Sequence, residues 1–222
     1  MMSELQNRLE KLTLRLDHMG MRCEQAVIDA IDAIRSQNVD HGEDVVKKDS
    51  IIDQAEVAIE QECIRLLALY QPAAVDLRAI CTIIKINNDL ERIADLASSM
   101  GGQVKHLVNQ NISFENSPEF NFLAQQTLAV LGKTIRLLSN QDTGSCQRVI
   151  ENDEKIDEGY TTMVHNLIDA GDHPGGTPAF LTTINVAKAM ERIGDHCTNI
   201  AEDIIFLKTG DIVRHTSFDY ED

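Results

Sequence analysis

Glu91-Arg92-Ile93-x-Asp95 recurs one hundred residues later as Glu191-Arg192-Ile193-x-Asp195, and Asp49-x-x-Ile52-Asp53 recurs as Asp153-x-x-Ile156-Asp157. Two segments repeated in the same order indicate an internal duplication, so the fold must be built from one unit used twice. Apolar spacing says what the unit is. Leu5, Leu9, Leu12, Leu16, Met19, Cys23, Ala26, Ala30 and Ala33 step by four and three, the pattern of a long helix packed along one face. Ile52, Ala55, Ile59, Leu66 and Tyr70 mark a second helix, and Ile83, Ile86, Leu90, Ile93, Ala97 and Met100 a third. The second half repeats the programme with Ala124–Leu138, Val149–Leu167 and Thr183–Leu207. The expected fold is all-α, with two tandem three-helix bundles over residues 1–105 and 106–222.

Breakers suggest the boundaries. Asn38, Asp40, His41 and Gly42 are expected to end the first helix, with the second starting near Glu43. Pro72 stops the second, because proline lacks the backbone donor and clashes with the preceding turn. Gly101-Gly102 are expected to close the third. Residues 103–118 lack a sustained period and read as the connector. The run from Gly171 to Pro178 separates the last two helices. Aromatics are only 4% of the chain and Trp is absent, so the core must come from aliphatic residues, which favours helix-on-helix packing.

Acidic side chains number 36 against 20 basic ones, a formal charge of −16. Such a surface repels phosphate backbones, which speaks against a nucleic-acid partner and for cations or a basic protein patch. Acidity also serves solubility alone. Five scattered cysteines, none in C-x-x-C spacing, suit neither a disulfide framework nor a zinc knuckle, and fit a reducing cytoplasm. No apolar run approaches the roughly 18 residues that span a bilayer. The N-terminus alternates charge and leucine and does not read as a signal peptide.

The repeated motifs are carboxylate pairs at i,i+4, which one helix turn brings onto one face. They are Asp49 with Asp53, Glu91 with Asp95, Asp153 with Asp157, and Glu191 with Asp195. Each lies off the apolar stripe of its helix and is expected to line a surface. Like charges at this spacing destabilise a bare helix by roughly 0.2–0.5 kcal/mol per pair, and a hard cation between two pairs reverses that sign. A single such pair is usually only solvated; four, two per repeat, point to metal. Asn199 and Glu202 continue the second-repeat face where the first has Ser99 and Gly102, so tighter binding is expected in the second repeat. Arg92 and Arg192 are expected to pair with neighbouring acids. His196 is either a ligand or an ordinary polar neighbour.

Enzyme readings fare less well. A ferritin-like di-metal site needs Glu-x-x-His on two helices, and none of the seven histidines has a Glu three residues before it. Leu131-Gly132-Lys133-Thr134 resembles the tail of a phosphate-binding loop, but Thr127 stands where its first glycine belongs and the segment is expected mid-helix.

Asn88-Asp89-Leu90-Glu91-Arg92-Ile93-Ala94-Asp95, together with the segment from Glu191 through Gly194, Asp195, Thr198 and Asn199 to Glu202, resembles the paired signature of the PhoU family. These are phosphate-specific transport accessory proteins of bacteria and archaea. Gln71-Pro72-Ala73-Ala74-Val75-Asp76-Leu77-Arg78, Met19-Gly20 and Thr209-Gly210-Asp211-x-Val213-Arg214-His215 are also similar to it. The resemblance implies pseudo-twofold symmetry between the bundles. It implies multinuclear metal clusters, of iron or zinc, with magnesium or manganese as further options. By position their ligands are Asp49, Asp53, Glu91 and Asp95, and Asp153, Asp157, Glu191 and Asp195, with Glu202 joining the second set. The first repeat departs from the pattern at Ala94, Ser99 and Gly102. The implied role is negative regulation of the phosphate-starvation response and control of phosphate uptake, without catalysis. The implied partners are a phosphate transporter ATPase and a sensor histidine kinase. The chain is expected to be a cytoplasmic homodimer that reaches the membrane only through those partners. A metal-free helical adaptor and a metal-dependent hydrolase are the rival readings.

Overall fold

The computed structural model describes residues 4–171 and 176–213. Among these residues there are six helices and no strand: α1 (Glu4–Ser36), α2 (Val39–Tyr70), α3 (Ala74–Asn109), α4 (Pro118–Asn140), α5 (Thr143–Asp169) and α6 (Gly176–Thr209). The all-α, twice-used three-helix unit is as expected. The last residues of the similar C-terminal motif, Arg214 and His215, lie outside the described residues, as do 172–175 of the Gly171–Pro178 run.

Within each unit the three helices pack on one another, and across the units α1 meets α4 and α3 meets α6. Contacts between equivalent helices are what a twofold relation requires. The units do not close separate cores. Cys23, Val27 and Leu90 of the first and Leu131, Ile193 and Ile200 of the second belong to one continuous apolar cluster. Gly20 makes the α1–α4 approach possible: a β-carbon there would lie 2.7 Å from Leu138 Cδ1.

Side-chain caps decide several helix starts. Asn38 accepts a hydrogen bond from the His41 backbone N–H at 3.0 Å, Ser117 accepts from Phe120 N–H at 3.2 Å, and Asp142 from Ser145 N–H at 3.1 Å. Gln71, left-handed at φ 42°, ends α2 just before Pro72.

Two expected boundaries are corrected. The first break is at Gln37-Asn38, and Asp40, His41 and Gly42 lie inside α2. Asn38 acts as the cap, and an acid in a first helical turn suits the helix dipole. Gly101-Gly102 do not end α3, which continues to Asn109 and buries Val104 and Leu107. Both misplacements share a cause: Gly42 and Gly101 face each other across α2 and α3, and a β-carbon on Gly42 would lie 2.6 Å from the Gly101 carbonyl oxygen. These glycines serve close helix packing. The link between units is therefore residues 110–117, where Phe114 stacks on Phe120 with ring centroids 4.6 Å apart.

Candidate metal centre

In the first repeat, α2 carries Asp49 and Asp53 and α3 carries Glu91 and Asp95. Close packing of α2 on α3, set by Gly42 and Gly101, brings the two pairs together. One carboxylate oxygen each of Asp49, Asp53 and Asp95 lie within 4.8 Å of one another. Burial pushes the Asp49 carboxyl above its ordinary range, and the charges of Asp53 and Asp95 add to that, against a hydrogen bond with Ser98. Glu91 is raised too, first by burial and then by Asp95, with Arg92 opposing. Arg92 sits 3.3 Å from Glu91 Oε2 and 3.3 Å from Asp95 Oδ2. Its contact with Glu91 has ion-pair distance without hydrogen-bond alignment, so Oε2 is a buried oxygen without a hydrogen-bond donor.

In the second repeat α5 supplies Asp153 and Asp157, and α6 supplies Glu191 and Asp195. Asp153 is the most perturbed: burial, then the charges of Asp157, Asp195 and Glu191, push its carboxyl up to about 6, with the nearby Thr198 hydroxyl opposing. Asp157 is raised by burial and by Glu191, and Asp195 by burial, Glu191 and Asp157. Asp153 Oδ1 and Glu191 Oε2 are buried without hydrogen-bond partners. Among the described residues, no three acids of this set converge as tightly as Asp49, Asp53 and Asp95.

All four pairs thus fall where two helices of one unit meet. The acids lie at the rim of the interface: Asp49, Glu91, Asp153 and Glu191 are half-buried, and Asp53, Asp157 and Asp195 are exposed. Several carboxylates, each raised by its neighbours, with orphaned oxygens among them, form an all-oxygen donor set fit for a hard cation.

The neighbouring residues divide. Glu202 is half-buried on α6, two turns beyond Asp195. Asn199 is drawn elsewhere, its Nδ2 donating to Asp89 Oδ1 of α3 at 3.3 Å. His196 Nδ1 lies 2.8 Å from the same Asp89 oxygen. Both join the repeats instead of facing the acids of α5. Arg92 pairs as expected, but among the described residues Arg192 makes no ion pair. Lys188 takes that place, 2.5 Å from Glu191 and over the Tyr160 ring at 5.2 Å. Its i,i+3 spacing to Glu191 was a readable signal. Spacing in the sequence assigns no role to Asp89 or Asp203. Asp203 is 2% exposed and paired with Lys85 at 3.2 Å across α3 and α6, and its position within the stripe Cys197–Ile200–Ile204 was the available clue.

The PhoU domain family matches this chain twice, at residues 16–104 and 120–204. The phosphate-specific transport system accessory protein PhoU of Edwardsiella tarda is 32% identical over 215 residues, covering 95% of this chain and 87% of that protein. The PhoU homolog of Aquifex aeolicus is 34% identical, with 96% of each chain covered. The crystal structure of PhoU from Pseudomonas aeruginosa superposes with a TM-score of 0.89 at 32% identity, over 94% of this chain and 100% of that one.

Proposed function

The chain belongs to the PhoU family, and from that premise we propose that it is a non-catalytic, metal-binding regulator of phosphate uptake and of phosphate-starvation signalling. Its relatives are accessory proteins of phosphate transport. The convergence of Asp49, Asp53 and Asp95 within 4.8 Å carries the metal part of this reading. Glu91 completes the first set, and Asp153, Asp157, Glu191 and Asp195, with Glu202, form the second. A bound multinuclear cluster would supply the positive charge these faces lack. Oxygen donors alone suit iron and also magnesium or manganese; zinc fits where it accepts carboxylates.

Regulation would pass through protein contacts. Among the described residues no helix is long and apolar enough to cross a membrane, so a membrane transporter would be reached by docking. The partners in this reading are the transporter ATPase and a sensor histidine kinase, with negative control of both uptake and signalling, and the working form is a homodimer. A charge of −16 favours basic patches on those partners and makes association salt-sensitive.

Metal analysis of protein purified without chelator tests the first part. Several equivalents of one metal, lost in a combined Asp49→Asn, Asp95→Asn, Asp153→Asn and Asp195→Asn variant that stays helical, support it. A metal-free wild type that still captures the ATPase would leave the adaptor reading standing. Pull-down of the ATPase at low and high salt tests the second part, and no recovery at either salt with both proteins folded counts against it.

A further inference from the structure

At the end of the molecule where α3 begins and α6 stops, α1, α3, α4 and α6 surround an open hollow of about 480 Å³. Leu16, Ile83, Leu138 and Ile204 give it apolar walls. Thr82 also lines it, is 1% exposed, and has a hydroxyl with no hydrogen-bond partner. Thr127, Thr134 and Thr183, also buried in helices, each donate to the carbonyl four residues before them. Thr182, its counterpart in the second repeat, donates to the Pro178 carbonyl at 2.9 Å, and Thr13 across the hollow donates to the Leu9 carbonyl at 3.1 Å. A buried hydroxyl left unpaired is costly, so a partner from outside the helix is expected.

Two cations line the same hollow. Arg78 spends one donor on the Leu207 carbonyl at 3.1 Å, and Lys208 lies beside it. Among the described residues neither has a carboxylate partner, in a chain with an excess of acids. The internal repeat indicates what such a space accepts. Phe120 is the counterpart of Leu16, since the left-handed residues that end their helices, Gln37 and Gln141, stand at the same offset. Against Phe120 the inter-repeat link stacks Phe114, while Ile112 of the same link lies by Ala179 and Thr183, the counterparts of Ala79 and Ile83. The second repeat therefore fills the equivalent end with an aromatic and an aliphatic side chain.

We propose that this hollow binds an amphiphilic anion. Its aromatic or short alkyl body lies against Leu16 and Leu138, an oxygen pairs with the Thr82 hydroxyl, and a carboxylate or phosphate head meets Arg78 and Lys208. Small-ligand sites have this make-up: mostly apolar walls with a few polar groups that fix orientation. The site is independent of the carboxylate faces.

Octyl phosphate and octanoate, below their micelle concentrations, are titrated into the full chain by calorimetry and by methyl NMR. Octanol and inorganic phosphate serve as the two halves of the ligand. Binding of at least one amphiphile, with methyl shifts at Ile83 and Leu138, is expected, and the stronger of the two identifies the head group. Each half should bind at least tenfold more weakly. Arg78→Gln should weaken the amphiphile at least tenfold, and Thr82→Val severalfold, with helicity unchanged; Lys208→Gln at the exposed rim gives a second reading that folding cannot confuse. Octanol binding as tightly as the amphiphiles, no loss in Arg78→Gln and Lys208→Gln, or shifts confined to other places would overturn the proposal. So would binding that emerges only in the Phe218→Ser, Tyr220→Ser double variant, because the hollow would then belong to the chain's own end.

Discussion

Gly194 on α6 lies directly against the Asp153 carboxylate of α5, so close that a β-carbon at 194 would collide with Asp153 Oδ1. The first repeat has Ala94 at this position. The missing methyl lets Asp153 settle into the helix interface, where burial and three neighbouring acids push its carboxyl up to about 6. Its folded form therefore holds a proton more tightly than its unfolded form. The stability this contributes is full below the ordinary value of 3.8 and is lost as pH rises through about 6. Metal-free protein should lose stability across that window, and Asp153→Asn should flatten the loss. Gly194→Ala should return the Asp153 titration toward 3.8. Carboxyl NMR titration and melting at several pH values check all three outcomes; an Asp153 titration unchanged in Gly194→Ala would show that another contact sets it.

The same proton bears on the order of metal loading. Counting donors along the sequence favours the second repeat, but Asn199 is committed to Asp89, and Asp153 must lose its proton first. Asp49, Asp53 and Asp95 already converge. Preformed sites bind with less reorganisation. Manganese should broaden NMR signals around Asp95 before those around Asp195 at pH 6, with the gap narrowing at pH 8. Asp95→Asn should abolish the early phase alone. Broadening that begins at Asp195 would restore the donor-count order.

Gly42 and Gly102 should respond to alanine in opposite directions. A β-carbon on Gly42 meets the Gly101 carbonyl oxygen at 2.6 Å, and no side-chain rotation relieves a backbone clash. Gly42→Ala should cost about 1–3 kcal/mol, as overpacking does. Gly102 has nothing within 4 Å, so Gly102→Ala should gain up to about 1 kcal/mol from helix propensity. Urea unfolding of both variants is the measurement, and equal shifts would contradict the close approach.

Lys85 reaches Asp203 across the repeat interface at 3.2 Å and lies over the Phe206 ring at 5.3 Å. Removing the ammonium weakens the set of contacts around a nearly buried carboxylate. Lys85→Met should cost about 1.5–3 kcal/mol, in the range of hydrogen bonds to charged groups. Lys47→Met breaks only exposed pairs with Asp44 and Glu43 and should cost about 0–1 kcal/mol. Equal losses in thermal melts would mean that Asp203 does not depend on Lys85.

Much of this protein is local and therefore legible in the chain. Apolar residues at three and four declare helices, Pro72 marks a stop, and i,i+4 acids share a face because one helix turn dictates it. The repeated motifs carry the twofold plan. What lies between helices was not legible. Gly42 and Gly101 look like breakers until their backbones meet, and Asn199 looks like a ligand until Asp89 claims it. Gly194 looks like a neutral variant of Ala94 until Asp153 is found against it. Spacing along one helix fixes direction relative to that helix only; which partner stands in that direction, and how near, depends on how two helices are rotated and pressed together, and packing of the whole core decides that.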